Sequence, residues 1–134
     1  MAGIDAGRSF IDWPLMEGQF VPPGALELTP VWINVFENPG LAQFNHRMLA
    51  YLVLIVAVLF VWRTGQASYD KVRAWGRRVG IVVVLQVILG IATVMHAAPL
   101  GLALAHQALA LVLIGVLIHA RFEIAYPAEQ KIRA

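Results

Sequence analysis

Three long apolar stretches constrain this chain of 134 residues more than any other feature. They run from about Leu41 to Trp62, from about Val79 to Met95 and from about Leu100 to Ile118. Each approaches the ~20 residues that an α-helix needs to cross a ~30 Å hydrocarbon layer. Because a backbone inside lipid must satisfy its own hydrogen bonds, such stretches are expected to be helical. The sequence therefore predicts an all-α integral membrane helical bundle with three transmembrane helices.

The composition excludes several classes of protein. Hydrophobic residues make up 60% of the chain and charged residues 13%, whereas soluble domains carry about 45–50% and about 25%. A soluble enzyme, a nucleic-acid-binding protein and a disordered segment are therefore excluded, and the lipid bilayer is the expected surrounding. With no cysteine in the chain, disulfides, thiolate nucleophiles and zinc–thiolate sites are excluded as well.

Proline-containing boundaries divide the chain into segments. Asn38-Pro39 is a favourable helix start, Pro99 can open the third span, and Thr29-Pro30 precedes a short apolar segment. That segment is expected to form a short interfacial helix. The predicted division is an outward-facing loop at 1–38, transmembrane helices within 39–122 (about 39–62, 79–96 and 99–119) and a tail at 123–134.

The charges predict the orientation of the chain. Residues 1–40 carry five acidic side chains against one basic side chain, whereas residues 63–78 carry five basic side chains. By the positive-inside rule, the 63–78 loop and the C-terminus are cytoplasmic, and the N-terminal segment is outside. With no visible transit or signal peptide, a bacterial inner membrane is the expected location of this multi-pass protein.

Two histidines lie at matching depths in the predicted bundle. His46 follows Pro39 by seven residues and His106 follows Pro99 by seven, which places both about 10 Å inside the outer ends of their helices. Small residues share the helix faces of the two histidines: Ala42, Ala50, Ala57, Ala103 and Ala110. A stripe of polar and small residues follows the second helix: Gln86, Gly90, Thr93 and Ala97. A pair of neutral imidazoles with a slot between them suits the two axial positions of a haem iron.

Simpler interpretations of these residues stay open. Each histidine could instead hydrogen-bond a neighbouring helix, and the small residues could simply pack. Arg47 could clamp haem propionates, extend to the interface or pair with Glu37. Gln43 and Gln107 lie beside the two histidines and are candidates for cofactor contacts. His96 and His119 are expected to be interfacial.

Several motifs together resemble the carboxy-terminal half of haem A synthase, of the cysteine-free type. The resemblance covers about residues 3 to 122, and its matching segments are Gly3-Ile4-Asp5-Ala6-Gly7, Trp13-Pro14-Leu15-Met16, Asn34-Val35-Phe36-Glu37-Asn38-Pro39, Gln43-Phe44-Asn45-His46-Arg47 and Ala105-His106-Gln107. The resemblance implies part of a four-helix half of an eight-helix protein built from an internal repeat. It also implies a membrane oxidoreductase that converts a methyl group of haem O to formyl, with oxygen from water.

The resemblance implies separate roles for the two halves of such a protein. His46 and His106 correspond to the axial ligands of a haem b cofactor, while the other half receives haem O and carries the catalytic residues. Position 43 holds glutamine where the other half has a catalytic glutamate, and an amide cannot act as a general base. Expected partners are a second half or another copy of the chain, and haem O synthase. The alternatives are a non-catalytic b-type cytochrome anchor and a helical bundle without cofactor.

Overall fold

A computed structural model describes residues 6–126 of the chain. Its elements are a 3-10 turn and four α-helices: Val31–Ile33, then α1 (Asn34–Glu37), α2 (Pro39–Gly65), α3 (Asp70–Met95) and α4 (Leu100–Ala125). The three long helices have the length and hydropathy required to cross a membrane. Within the described residues the only β-type pairing is one isolated bridge, between Met16 and Gln19. The predicted all-α membrane bundle is thus confirmed.

The helix boundaries follow local chemistry. Asn38 caps α2 as expected, because its side chain accepts a hydrogen bond from the Leu41 N–H at 2.9 Å. α3 begins nine residues before the apolar run, and an Arg73–Asp70 ion pair lies in its first turn. α4 extends beyond its apolar run, where Glu123 contacts Lys71 of α3. Both helices therefore project past the segment that hydropathy alone predicts.

The structure shortens one predicted segment and describes another only in part. The expected interfacial helix is reduced to the 3-10 turn and the four-residue α1. Of the expected tail at 123–134, residues 123–125 continue α4, and residues 127–134 lie outside the described part. Residues 1–5, which include the start of one resembling motif, also lie outside it.

The long helices pack with α3 between α2 and α4. The buried core joins all three through Ala57, Val79, Val83, Leu113 and Ala120. α2 and α3 lie close together where α3 carries glycines: a Cβ on Gly76 would overlap the Thr64 side chain, and one on Gly80 would lie 2.9 Å from Val61 Cγ2. Small residues allow such close backbone approach in membrane helix pairs.

We expect Gly76→Ala to destabilise the bundle by about 1–3 kcal/mol, because the added methyl group overpacks the α2–α3 contact. The matched control is Gly115→Ala on α4, where a Cβ meets nothing within 4 Å; this change should be neutral or slightly stabilising. Unfolding in mixed detergent measures both. Equal stabilities of the two variants would show that the α2–α3 contact is not tight.

The chain before α2 covers one end of the bundle. Gly7 lies against Ala98 in the α3–α4 turn, with a distance of 3.2 Å from its ideal Cβ position to Ala98 Cβ, and Phe10 packs on Gly40 at the start of α2. We call this end, formed by residues 6–38 and the 96–99 turn, the capped end. The start of α2, the end of α3 and the start of α4 therefore meet beneath one irregular cover.

Candidate functional site

Two imidazole rings meet between α2 and α4 near the capped end. The ring centres of His46 and His106 are 6.4 Å apart, and the ring planes are inclined by 74°. His106 is partly buried against α3, whereas His46 is exposed on the surface of this chain. The two helices start at the same end of the bundle, so their similar distances from the helix starts bring the rings together.

The separation of the rings suits a metal held between them. Bonds from an imidazole nitrogen to a metal are about 2 Å long. Two such bonds, together with the distance from each ring centre to its nitrogen, add up to about the separation of the two ring centres. No cluster of three or more His, Asp or Glu side chains that could hold a metal ion occurs within residues 6–126. Two imidazoles are nevertheless sufficient for a haem, because the porphyrin supplies the other ligands.

The surroundings of His106 leave space for the ring and leave one ring atom without a partner. A Cβ at Gly90 of α3 would lie 2.9 Å from His106 Cε1, so glycine is the residue that allows the ring to lie there. His106 Nδ1 is buried and has no hydrogen-bond partner among the described residues. Buried polar atoms of this kind are rare in folded proteins, and they point to a functional position.

Gln86 of α3 is the polar side chain beside His106. Its Nε2 donates to the His106 carbonyl oxygen at 3.1 Å and lies 3.4 Å from His106 Nε2. The polar stripe predicted on the second helix therefore faces α4. Thr93, two turns further along the stripe, donates to the carbonyl of Leu89 and lies 3.4 Å from that of Leu102.

Gln43 and Arg47 project from α2 into the covering loop. Gln43 is fully buried, and its amide accepts from Phe10 N–H at 3.1 Å and donates to Phe10 O at 2.7 Å. The Arg47 guanidinium donates to the backbone carbonyls of Phe10, Asp12, Pro14 and Leu15. The loop is thereby fastened to the helix that carries His46. Contacts of these two side chains with a cofactor stay a prediction.

Asp12 is an acidic residue of the covering loop whose charge interacts with Arg47. Burial alone would raise its pKa, but hydrogen bonds from the backbone N–H groups of Glu17 and Gly18, and the charge of Arg47, lower the pKa below its usual 3.8. The ionised form is therefore stabilised by the folded loop.

The pKa of Asp12 gives the loop a pH dependence of defined sign. Because the folded pKa is lowered, the contribution to loop stability is complete above the usual value and is lost as the pH falls through the lower folded value. Proteolytic cleavage within residues 6–38 should therefore accelerate at acidic pH. Asp12→Asn should remove this part of the pH dependence; an identical profile in that variant would contradict the assignment.

The remaining predicted polar residues lie apart from the ring pair. Gln107 is exposed on α4, and its proposed contact with a cofactor stays a prediction. His96 is exposed, with Nδ1 2.8 Å from the Ala92 carbonyl. His119 lies at the opposite end of α4, where its ring centre is 4.6 Å from that of Trp75 and its Nε2 is 3.5 Å from Glu123.

Sequence reasoning missed the role of Asn34. Its side chain is fully buried and bonds both the N–H and the carbonyl of Leu28, while Asn38 Nδ2 donates to the Gly24 carbonyl and to Asn34 Oδ1. The two asparagines therefore anchor the second half of the loop. Their spacing of four residues could have indicated a shared face, although the partners are too distant in sequence to predict.

Comparisons with known proteins identify relatives of this chain. A family model, COX15-CtaA, described as "Cytochrome oxidase assembly protein", matches residues 1–118. The chain is similar to proteins named "Heme A synthase" from Ruegeria pomeroyi (48% identity), Dinoroseobacter shibae (45%) and Paracoccus denitrificans (41%), in each case over 99% of this chain. It spans 35% of the length of each of these relatives. No solved structure matches the chain.

Proposed function

The chain belongs to the COX15-CtaA family of cytochrome oxidase assembly proteins, and we propose that it is the haem-holding part of a haem A synthase. In this proposal, His46 and His106 are the axial ligands of a haem b. The observation that carries it is the meeting of two imidazoles, 6.4 Å apart, on two membrane-spanning helices. Imidazoles inside a membrane are costly and generally functional.

The residues around the rings fit a haem. The two imidazole rings lie 6.4 Å apart, Gly90 leaves His106 room beside α3, and the buried His106 Nδ1 would be left for a hydrogen bond that orients a metal-bound ring. The loop held by Gln43 and Arg47 covers this end of the bundle. These residues would bind and orient the group and limit access of water from the capped end.

A haem with two histidine ligands has no open coordination position, and it therefore supplies one-electron transfer. Oxidation of the methyl group of haem O to formyl, with water as the oxygen source, releases protons and electrons that need an acceptor. We propose that haem O is the substrate of the whole enzyme and that this part serves it by accepting electrons. The methyl oxidation itself takes place in the remaining part of the protein, which a second half supplies, since another copy of the chain would again carry Gln43.

The side chain at position 43 supports this division of labour. Gln43 is an amide with both polar atoms hydrogen-bonded to Phe10, so it cannot abstract a proton. The same observation favours a second candidate function, a non-catalytic b-type cytochrome anchor that passes electrons to a partner. The proposed location is a bacterial inner membrane, with the capped end outside and residues 63–78 cytoplasmic.

A spectrum and a haem analysis test the proposed function. The purified chain in detergent, supplied with haemin, should show the absorption of a low-spin haem; no Soret shift would leave only a bundle without cofactor. The chain should then be co-expressed with a haem O producer and with the remaining part of a relative. Extracted haem A, identified by mass, supports the enzyme. Bound haem b without haem A formation would favour the anchor instead.

A further inference from the structure

Gln86 contacts His106 in a way that determines where the imidazole carries its proton. Gln86 Nε2 lies 3.1 Å from the His106 carbonyl oxygen. This carbonyl can only accept, so the amide must present N–H here rather than oxygen. The same amide nitrogen lies 3.4 Å from His106 Nε2. Since an amide NH₂ group only donates, Nε2 must offer its lone pair, and the ring proton is therefore on Nδ1.

The same two side chains each leave one buried polar atom without a partner. Gln86 Oε1 and His106 Nδ1 are both inaccessible to solvent and have no hydrogen-bond partner among the described residues. One atom is an acceptor, and the other, in this tautomer, is a donor. Metal-binding histidines almost always donate their second ring N–H to an oxygen atom, which orients the ring and raises its basicity. The two unpartnered atoms are thus one acceptor and one donor, as such a hydrogen bond requires.

We propose that Gln86 is a positioning residue for His106, which keeps the ring nitrogen Nε2 unprotonated before haem binds and accepts the Nδ1–H hydrogen bond through Oε1 afterwards. The inference rests on the proposed function, because it requires that iron takes Nε2. With Nε2 bound to a haem iron, the Gln86 amide would no longer contact that nitrogen, and its Oε1 would be the acceptor for Nδ1–H. Such a hydrogen bond would make the imidazole a stronger electron donor and would favour the ferric state.

The midpoint potential of the bound haem tests this inference. The 134-residue chain is loaded with haem b in detergent, and its potential is measured by titration at the α-band. Gln86→Leu removes the acceptor, so we expect the preference for ferric over ferrous haem to fall about tenfold, which raises the potential by about 59 mV for a one-electron couple. Gln86→Glu restores an oxygen acceptor and should leave the potential at or below that of the unchanged chain.

The control is Thr93→Val, which removes another polar side chain of α3 that faces α4, the hydroxyl 3.4 Å from the Leu102 carbonyl, at a position two turns from Gln86. A merely structural role of Gln86 predicts equal potentials for Gln86→Leu and Thr93→Val, and this result would overturn the inference. Loss of haem from both Gln86→Leu and Gln86→Glu, with retention in Thr93→Val, would also overturn it. Loss from Gln86→Leu alone would support it.

A failure of the proposed function would give different results from a failure of the Gln86 inference. If the unchanged chain shows no low-spin haem, or if His106→Ala keeps it, then the haem ligation itself is wrong, whatever the Gln86 variants do. A low-spin haem that depends on His106 but has a potential insensitive to Gln86 refutes only the positioning role.

Discussion

Alanine in place of His46 or His106 should abolish the low-spin haem spectrum of the reconstituted chain. Each substitution removes one of the two imidazoles whose ring centres lie 6.4 Å apart, and an iron with one remaining histidine becomes high-spin or takes a solvent ligand. Loss of a residue that merely orients a ligand costs about 10–100-fold in metal affinity. We therefore expect the loss of a ligand itself to reach at least about 100-fold, measured by titration with haemin.

His96→Ala is the matched control for these variants. His96 also lies at the capped end, but it is exposed and its Nδ1 approaches the carbonyl of Ala92 in its own helix. Its removal should leave the Soret and α-bands unchanged. Low-spin spectra that persist in both His46→Ala and His106→Ala would place the haem elsewhere, and a loss in His96→Ala would show that the spectrum does not report on the ring pair.

Arg47→Leu should release the covering loop from α2. The guanidinium donates to four loop carbonyls and is buried. Hydrogen bonds to charged groups contribute about 1.5–3 kcal/mol each, and buried carbonyls left unpaired are costly. We therefore expect the loop to lose at least about 3 kcal/mol of local stability, seen as faster amide exchange and proteolysis within residues 6–38. The three long helices should keep their helical circular dichroism.

Arg63→Leu is the control on the same helix, because Arg63 is exposed at the opposite end of α2 and lies 6.0 Å from the Trp62 ring centre. It should leave loop exchange unchanged. Unchanged exchange in Arg47→Leu as well would contradict the fastening role. The haem spectrum of Arg47→Leu separates the two roles of this residue: weaker haem binding with an intact loop would favour a contact between Arg47 and the haem propionates.

Features that depend on neighbours along the chain were predictable. Hydropathy identified three membrane-spanning helices, since each buries its own backbone hydrogen bonds and needs only apolar side chains around it. Asn38 and Pro39 marked the start of α2 because capping is a local interaction. The equal spacing of His46 and His106 from two helix starts predicted rings at one depth, because the rise per residue of a helix is constant.

The start of α3 was less predictable from the sequence than the start of α2. Residues 70–78 are too polar to belong to an apolar run, yet they continue the helix with support from an ion pair between Asp70 and Arg73. Hydropathy detects the part of a helix that fits lipid and not the part that extends beyond it.

By itself, the sequence determined the helical membrane architecture, the starts of α2 and α4 and the matching positions of the two histidines along them, because these depend on composition and on interactions within a few residues. Only the tertiary structure decided that Gln43 and Arg47 bind the loop, that Gly90 and Gln86 of α3 face His106, and that Asn34 anchors Leu28. Most of these contacts join different elements of the chain. Their partners are set by how helices pack side by side and how an irregular loop folds over their ends, and no periodicity within one segment encodes that arrangement.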